Sequence, residues 1–350
     1  MRRYAILAPG LFTSRSAKTA HGAIAYGRDT TVAVIDPDHA GRRVREVVPY
    51  LDCDAPLVAS VDAALAYEPT ALLIGVAPPG GALPAAWRAW ILRAIEARLE
   101  IVSGLHQFLA DDAEFVSAAR RAGTTIWDVR APPPPRLFTG AANAVTARVA
   151  LFVGSDAAVG KMTAALELTR AATRRGVRAR FVATGQTGIV IAGNGTAIDR
   201  VIADFASGAA EELVLGGAAQ AELLFVEGQG GITNAAFAPV TLALLYGCAP
   251  DALVLVHLVT RTHVEGFGTP LLGLRGLVEL YESLARAVKP AKVVGVALNT
   301  HGLDAAQARQ AIDDARRETS LPCDDVVRNG ADALYDAIAP RLGAKTLALR

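Results

Sequence analysis

The sequence predicts an α/β protein made of two doubly wound domains, each a parallel sheet covered by helices. Three observations predict it. The chain has 350 residues, too many for one ordinary domain and comfortable for two. Short apolar runs alternate with helical patterns, first in one third of the chain and again in the rest. Four consecutive prolines, Pro132 to Pro135, interrupt the alternation. Such a run continues neither a helix nor an interior strand, and makes a stiff spacer. The expected division is a first domain over 1–131, a linker over 132–135 and a second domain over 136–350.

In the first domain Tyr4–Ala8, Thr31–Ile35, Ala71–Val76 and Thr124–Val129 are apolar enough for buried strands. Asp62–Tyr67, Pro84–Leu99 and Asp112–Arg121 carry helical patterns between them. Trp87, Ile91 and Ile95 recur every four residues and give the second of these helices one apolar stripe. In the second domain Val149–Val153, Arg180–Ala183, Leu223–Val226, Ala252–Val256 and Val293–Leu298 predict strands. Helices are expected over 161–175, 197–207, 238–246, 271–287 and 304–317.

Composition narrows the function. Hydrophobic residues make up 52% and charged residues 20%, so a large core is available. Lys plus Arg number 35 against 34 acidic residues, which gives no electrostatic case for nucleic acid or an anionic membrane. A small-molecule substrate remains, and a homo-oligomer stays open. Cys53, Cys248 and Cys323 are far apart, without CxxC or CxxH spacing, so neither a disulfide framework nor a zinc site is expected. The longest strongly apolar stretch, Ala252–Val259, is far short of a membrane span. The opening MRRYAILAPGLF has two arginines before an apolar run, but Pro9-Gly10 interrupts it. It reads as a first strand ending in a turn rather than a signal peptide, and a cytoplasmic protein is expected.

In open α/β sheets ligands bind at the carboxyl ends of the strands. In the second domain all five predicted strand ends carry glycines or polar groups. The first is followed by Gly154, Ser155, Asp156, Ala157, Ala158, Val159, Gly160, Lys161, Met162 and Thr163. The second runs into Thr184-Gly185-Gln186-Thr187-Gly188, and the third into Glu227-Gly228-Gln229-Gly230-Gly231. The fourth leads to His257, Thr260, Arg261 and His263, and the fifth to Asn299-Thr300-His301-Gly302. Gly154–Thr163 has the parts of a phosphate-binding loop: glycines that let N–H groups converge on an anion, a helix start behind it, and a lysine. Only five lysines occur in the chain, which draws attention to Lys161. That lysine is expected to face solvent when no ligand is bound. The glycines stand one residue further apart than in GxxxxGK[ST], and Met162 occupies the hydroxyl position with Thr163 next.

The loop GSDAAVGK resembles the variant loop G-T-D-x-x-V-G-K-T of the dethiobiotin-synthetase-like P-loop enzymes, and Val226–Gly231 resembles their VEGxGG segment. The resemblance puts Asn299 against a nucleotide base, while Met162 departs from it and puts magnesium in doubt. Lys18-Thr19-Ala20-His21-Gly22, the GKMT loop, TGQTGIVIAG (184–193), VIADF (201–205), FVEGQGG (225–231) and GVALNT (295–300) together resemble the DgcN-like family over nearly the whole chain. That resemblance implies an N-terminal Rossmann-like sheet and a C-terminal P-loop NTPase-like sheet. It also implies N-acetylation of D-glutamate from acetyl-coenzyme A, a step in D-amino-acid catabolism.

The cofactor site is therefore expected at Gly154, Ser155, Asp156, Val159, Gly160, Lys161, Met162, Thr163 and Asn299. The catalytic candidates are Glu227, His257 and Lys161. Glu227 reads as a base or as a loop cap, and His257 as a base or as a hydrogen-bonded core histidine. Gln186, Thr187, Gln229, Arg261 and His263 are candidates for the substrate, with turn chemistry as the plainer reading of Gln186 and Thr187. Arginine would grip a carboxylate through two hydrogen bonds. Lys18 and His21 enter by resemblance alone. Asp36 follows the second strand as a ribose-binding acid would, but no GxGxxG follows the first strand, which argues against NAD. No metal ligands are assigned. Two other functions stay open: an ATP- and magnesium-dependent ligase or kinase, and a nucleotide-sensing module without chemistry.

Overall fold

The computed structural model of the chain describes residues 1–78 and 81–343; the end of the expected second domain, 344–350, lies outside the described residues. The chain divides into two compact units, one of Met1–Ala131 with Gln186–Ala197, the other of Pro132–Gly185 with Ile198–Arg350.

The first unit is a sheet of six parallel strands: β1 (Arg3–Leu7), β2 (Thr30–Ile35), β3 (Leu57–Val58), β4 (Ala71–Ile74), β5 (Glu100–Ser103) and β6 (Ile126–Asp128). Their order is β3-β2-β1-β4-β5-β6. Strand β4 is buried throughout, because a parallel strand packs helices on both faces. Helices α1 (Lys18–Tyr26), α2 (Val44–Val47), α3 (Val61–Leu65), α4 (Arg88–Glu96) and α5 (Ala113–Ala122) join the strands. The stripe expected on the fourth helix is real: Trp87, at its start, Ile91 and Ile95 are all buried. Helix α5 starts where Asp112 accepts from the Glu114 and Phe115 N–H groups, and it stops at Gly123 in the left-handed region. Strands β3 and β5 are not among the predicted elements. β3 has only two residues, and the turn before β5 is made by Arg98 at φ 62° rather than by a glycine.

The second unit holds β7 (Arg148–Gly154), β8 (Ala179–Val182), β9 (Leu223–Val226), β10 (Ala252–Leu258), β11 (Lys292–Asn299) and β12 (Cys323–Asp324), all parallel, in the order β12-β11-β10-β7-β9-β8. Strand β7 therefore lies between β10 and β9, and β10 lies between β7 and β11. Phe152 and Phe225 pack edge to face at 5.7 Å beneath the carboxyl ends. The helices are α6 (Lys161–Arg174), α8 (Ala203–Ala218), α9 (Ala238–Gly247), α10 (Leu274–Ala285), α11 (Ala305–Thr319) and α12 (Asp332–Leu342). After the prolines the chain is fastened to α8. Buried Glu211 accepts from the Thr139 N–H and hydroxyl and from the Ala142 N–H, at 2.8, 2.9 and 3.2 Å.

One segment departs from the expected division. Residues 186–197 sit within the second unit's stretch of chain but belong to the first unit. They open with α7 (Gln186–Ala192), where turn chemistry was one reading. The helix packs on α1, with the Thr187 hydroxyl 3.0 Å from the Thr19 hydroxyl and Ile189, Val190 and Ile191 buried.

Candidate functional site

The phosphate-type loop runs from the end of β7 at Gly154 to the start of α6 at Lys161. Ala158 (φ 53°) and Gly160 (φ 111°) turn the chain back onto the helix axis. Lys161 does not face solvent as expected. It is 6% exposed, and its ammonium donates to the Asp156 carbonyl at 2.8 Å and the Gly230 carbonyl at 2.6 Å. Two glycines make room for it. A Cβ on Gly154 would stand 2.8 Å from Lys161 Nζ, and a Cβ on Gly228 would stand 3.2 Å from Lys161 Cδ as well as 1.6 Å from the Phe152 carbonyl oxygen. The lysine thus ties the loop to the segment after β9, with its charge at the amino end of α6.

Asp156 is the centre of the arrangement. It is fully buried. Its Oδ1 accepts from the Ala157 N–H at 2.7 Å and Asn234 Nδ2 at 2.8 Å. Its Oδ2 accepts from Arg261 Nη1 at 3.1 Å and the Glu265 N–H at 2.6 Å. Burial works to raise the pKa of this carboxyl. The bonds from Asn234, the two N–H groups and Arg261 outweigh it and hold the group below the ordinary aspartate value. Arg261, a candidate for holding a substrate carboxylate, is engaged inside the protein. Besides Asp156 it donates to the Ala157 carbonyl at 3.0 Å and to Glu265 Oε2 at 2.8 Å.

On the adjacent strand His257 places Nδ1 2.9 Å from Ser155 Oγ. Burial pushes its pKa down to about 4, opposed by Glu318 and aided by the Arg261 charge, so the ring is neutral at pH 7. Glu227 is 6% exposed at the end of β9, and its Oε2 accepts from the Thr184 and Gly185 N–H groups at 3.0 and 3.2 Å. Gln229 donates through its side chain to the Thr184 carbonyl. Asn299 donates to the Val159 carbonyl at 3.2 Å and accepts from the His301 N–H at 3.1 Å, so its amide braces the loop. The loop, Glu227, Gln229, His257, Arg261 and Asn299 are gathered at one end of one sheet, where five strand ends were expected to meet.

Other candidates are not gathered there. Gln186 and Thr187 lie in the first unit. Gln186 lines a cleft of about 440 Å³ there with Ala77, Gly104, Leu105 and His106, and accepts from Arg130 at 3.2 Å. His263 is exposed, 2.9 Å from the Thr262 hydroxyl. Met162 is buried and Thr163 half-buried in the first turn of α6. Lys18 is exposed at the start of α1. His21 Nε2 lies 2.7 Å from the Phe12 carbonyl, which only accepts, so a neutral ring receives the Tyr50 hydroxyl at Nδ1, also at 2.7 Å. Asp36 holds the Gly10 N–H and His39 Nδ1, each at 2.7 Å, which gives the carboxylate a structural task in place of a ribose.

Three participants were not singled out in the sequence: Asn234, Glu265 and Tyr281. The Tyr281 hydroxyl donates to the Gly154 carbonyl at 2.7 Å and accepts from the Ile232 N–H at 3.1 Å, and burial raises its pKa. In the sequence it is one more apolar position of α10. Asn234 and Glu265 carry no motif; only their place just beyond strand ends points to them.

The comparisons with known proteins agree with this architecture. Residues 136–335 match a domain of unknown function, DUF1611, described as its P-loop domain, and residues 37–132 match the Rossmann-like domain of the same family. A D-glutamate N-acetyltransferase of a Pseudoalteromonas species is 38% identical over 264 residues, 75% of this chain and 79% of that protein. Another of the same name from Tritonibacter scottomollicae is 38% identical over 77% of this chain and 80% of its own. The crystal structure of a DUF1611 protein from Anabaena variabilis superimposes with a TM-score of 0.92 at 40% identity, covering 97% of this chain and all of that one. Among the described residues no helix is long and apolar enough to cross a membrane. With both domains matched and the phosphate-type loop built on the P-loop sheet, the chain belongs to the DUF1611 family, the DgcN-like proteins, and is an N-acetyltransferase.

Proposed function

We propose that the protein moves an acetyl group from acetyl-coenzyme A to the amine of an acidic D-amino acid such as D-glutamate, in D-amino-acid catabolism. The acceptor is suggested by the names of the two relatives. The donor is suggested by one observation: the Gly154–Thr163 loop, with Lys161 clamped at its helix start, has the form that receives phosphates, and coenzyme A carries them. The loop grips the phosphates and so fixes the thioester near Glu227 and His257. One of these two takes a proton from the acceptor ammonium. The amine nitrogen then forms a bond to the thioester carbon, the carbon–sulfur bond breaks, and the thiolate leaves and is protonated. His257 is unprotonated at pH 7 and so able to accept a proton, but its lowered pKa makes it a weak base. Glu227 suits the role because it is a buried carboxylate at the same strand ends.

No divalent cation enters this scheme. Both oxygens of Asp156 already accept two donors each, and Met162 stands where a P-loop hydroxyl usually ligates magnesium. A thioester is already activated, so no γ-phosphate is needed. A cytoplasmic setting fits three free cysteines, two of them buried. The test follows thiol release from acetyl-coenzyme A with D-glutamate, with and without EDTA. Unchanged release in EDTA and without ATP is the expected result. Activity that vanishes with EDTA and returns only with magnesium and ATP would establish the ligase reading instead.

A further inference from the structure

The loop after β10 has features that the acetyl-transfer scheme leaves unused. Residues 262–271 form a small hairpin, closed by Val264 N–H to the Thr269 carbonyl at 2.7 Å and Leu271 N–H to the Thr262 carbonyl at 2.9 Å. It is fixed twice next to its turn. Val264 is buried, and the Glu265 N–H donates to Asp156 at 2.6 Å. Its tip is Gly266-Phe267-Gly268. Both glycines are left-handed, at φ 84° and 67°, with open space where a Cβ would stand. Between them Phe267 is 54% exposed. A single exposed phenylalanine is unremarkable by itself. This one is two residues from an N–H bound to the aspartate inside the phosphate-type loop, which limits the Cα–Cα distance between Glu265 and Phe267 to about 7–8 Å.

Topology adds a second argument. Strand β10 is paired with β7, which carries the loop, and with β11, which carries Asn299. A segment leaving the end of β10 is flanked by the phosphate position on one side and Asn299 on the other. Asn299 braces Val159, so stacking would have to supply much of the grip on a base. Every purine offers a flat face to an aromatic ring.

Resting on the reading that Gly154–Thr163 holds a phosphate-bearing ligand, we propose that the 262–271 hairpin is the purine clamp of that site, with Phe267 stacking on the adenine ring. Gly266 and Gly268 let the ring turn onto the base, and Asp156, through the Glu265 N–H, keeps the start of the turn in register with the phosphates. Adenine occurs in both coenzyme A and ATP, so the experiment separates the two sources.

Calorimetric titrations of the full chain and of Phe267→Ala use three probes: coenzyme A, 4′-phosphopantetheine and ATP. Phe267 is at the surface, so the variant should fold, and circular dichroism checks that it does. Coenzyme A is expected to bind the variant about tenfold more weakly or worse, the order of one lost aromatic–base stack. Phosphopantetheine, which lacks the purine, should bind both proteins alike. Phe267→Trp should restore coenzyme A affinity. Equal affinity of wild type and Phe267→Ala for coenzyme A, or equal losses for coenzyme A and phosphopantetheine, would overturn the clamp while leaving acetyl transfer standing. A wild type that ignores coenzyme A but binds ATP in a Phe267-dependent way would uphold the clamp and remove acetyl-coenzyme A from the site.

Discussion

Acidification should weaken the fold through His257, and the size of the effect can be worked out. The group falls from an ordinary 6.5 to about 4 because the half-buried ring is desolvated beside Ser155 at the end of β10. At about 1.36 kcal/mol per pH unit, that is about 3 kcal/mol of preference for the neutral ring in the folded state. The unfolded chain keeps the higher pKa, so between these values it binds more protons than the folded one. The stability is complete above the unfolded value and is lost as pH falls toward about 4. Between pH 7.5 and pH 5 the loss attributable to His257 is about 2 kcal/mol. Asp156, Glu211 and Asp325 have lowered pKa values and titrate below this window. His21 is also lowered by burial, but it is present in both proteins to be compared. The assay is urea unfolding of wild type and His257→Gln at both pH values, followed by circular dichroism, with NMR titration of the imidazole that the variant lacks. The difference between the two proteins should narrow by about 2 kcal/mol on going to pH 5. A constant difference, or an imidazole titrating near 6.5, would refute the reasoning.

Glu227→Gln keeps the shape and removes the charge. It should lower kcat by about a hundredfold or more with little change in coenzyme A affinity, and near-normal turnover in the thiol-release assay would move the base to His257. Lys161→Ala should abolish coenzyme A binding by calorimetry and cost about 1–3 kcal/mol of stability in a urea melt, since the Asp156 and Gly230 carbonyls lose a buried donor. Wild-type affinity in that variant would end the phosphate-loop assignment. In Gly228→Ala the new Cβ would lie 1.6 Å from the Phe152 carbonyl oxygen, so a loss above about 4 kcal/mol is expected; a soluble variant melting within a few degrees of wild type would contradict it.

Much of this site is legible in the sequence because strands buried on both faces are plain apolar runs, and chemistry collects where they stop. Strand β9 is Leu223–Val226 in the structure as in the sequence, and Glu227 follows it directly. The environment of Asp156 is not legible, because its partners come from loops after two different strands. Only the sheet order, with β9 and β10 on either side of β7, brings Asn234, Arg261 and Glu265 to one carboxylate. Burial of Lys161 escapes the sequence for a similar reason: the space it fills is left by Gly154 and by Gly228, far along the chain. Helix α7 is hidden by its composition. Gly188 and the β-branched run Ile189-Val190-Ile191 disfavour a helix locally, and packing against α1 prevails. Strands β3 and β12, at two residues each, are too short to show a period.

The assignment of residues 186–197 to the first unit has a consequence for biogenesis. When a ribosome has made the chain through the proline run, the Rossmann-like unit still lacks the helix that covers α1, so its last pieces arrive only after part of the P-loop sheet has been synthesised. Domain-by-domain folding in order of synthesis is therefore interrupted for this chain. A gene cut at the prolines would yield one product with an uncovered α1. The other product would carry Ile189, Val190 and Ile191, each under 5% exposed in the intact protein, without the surface they were selected to cover.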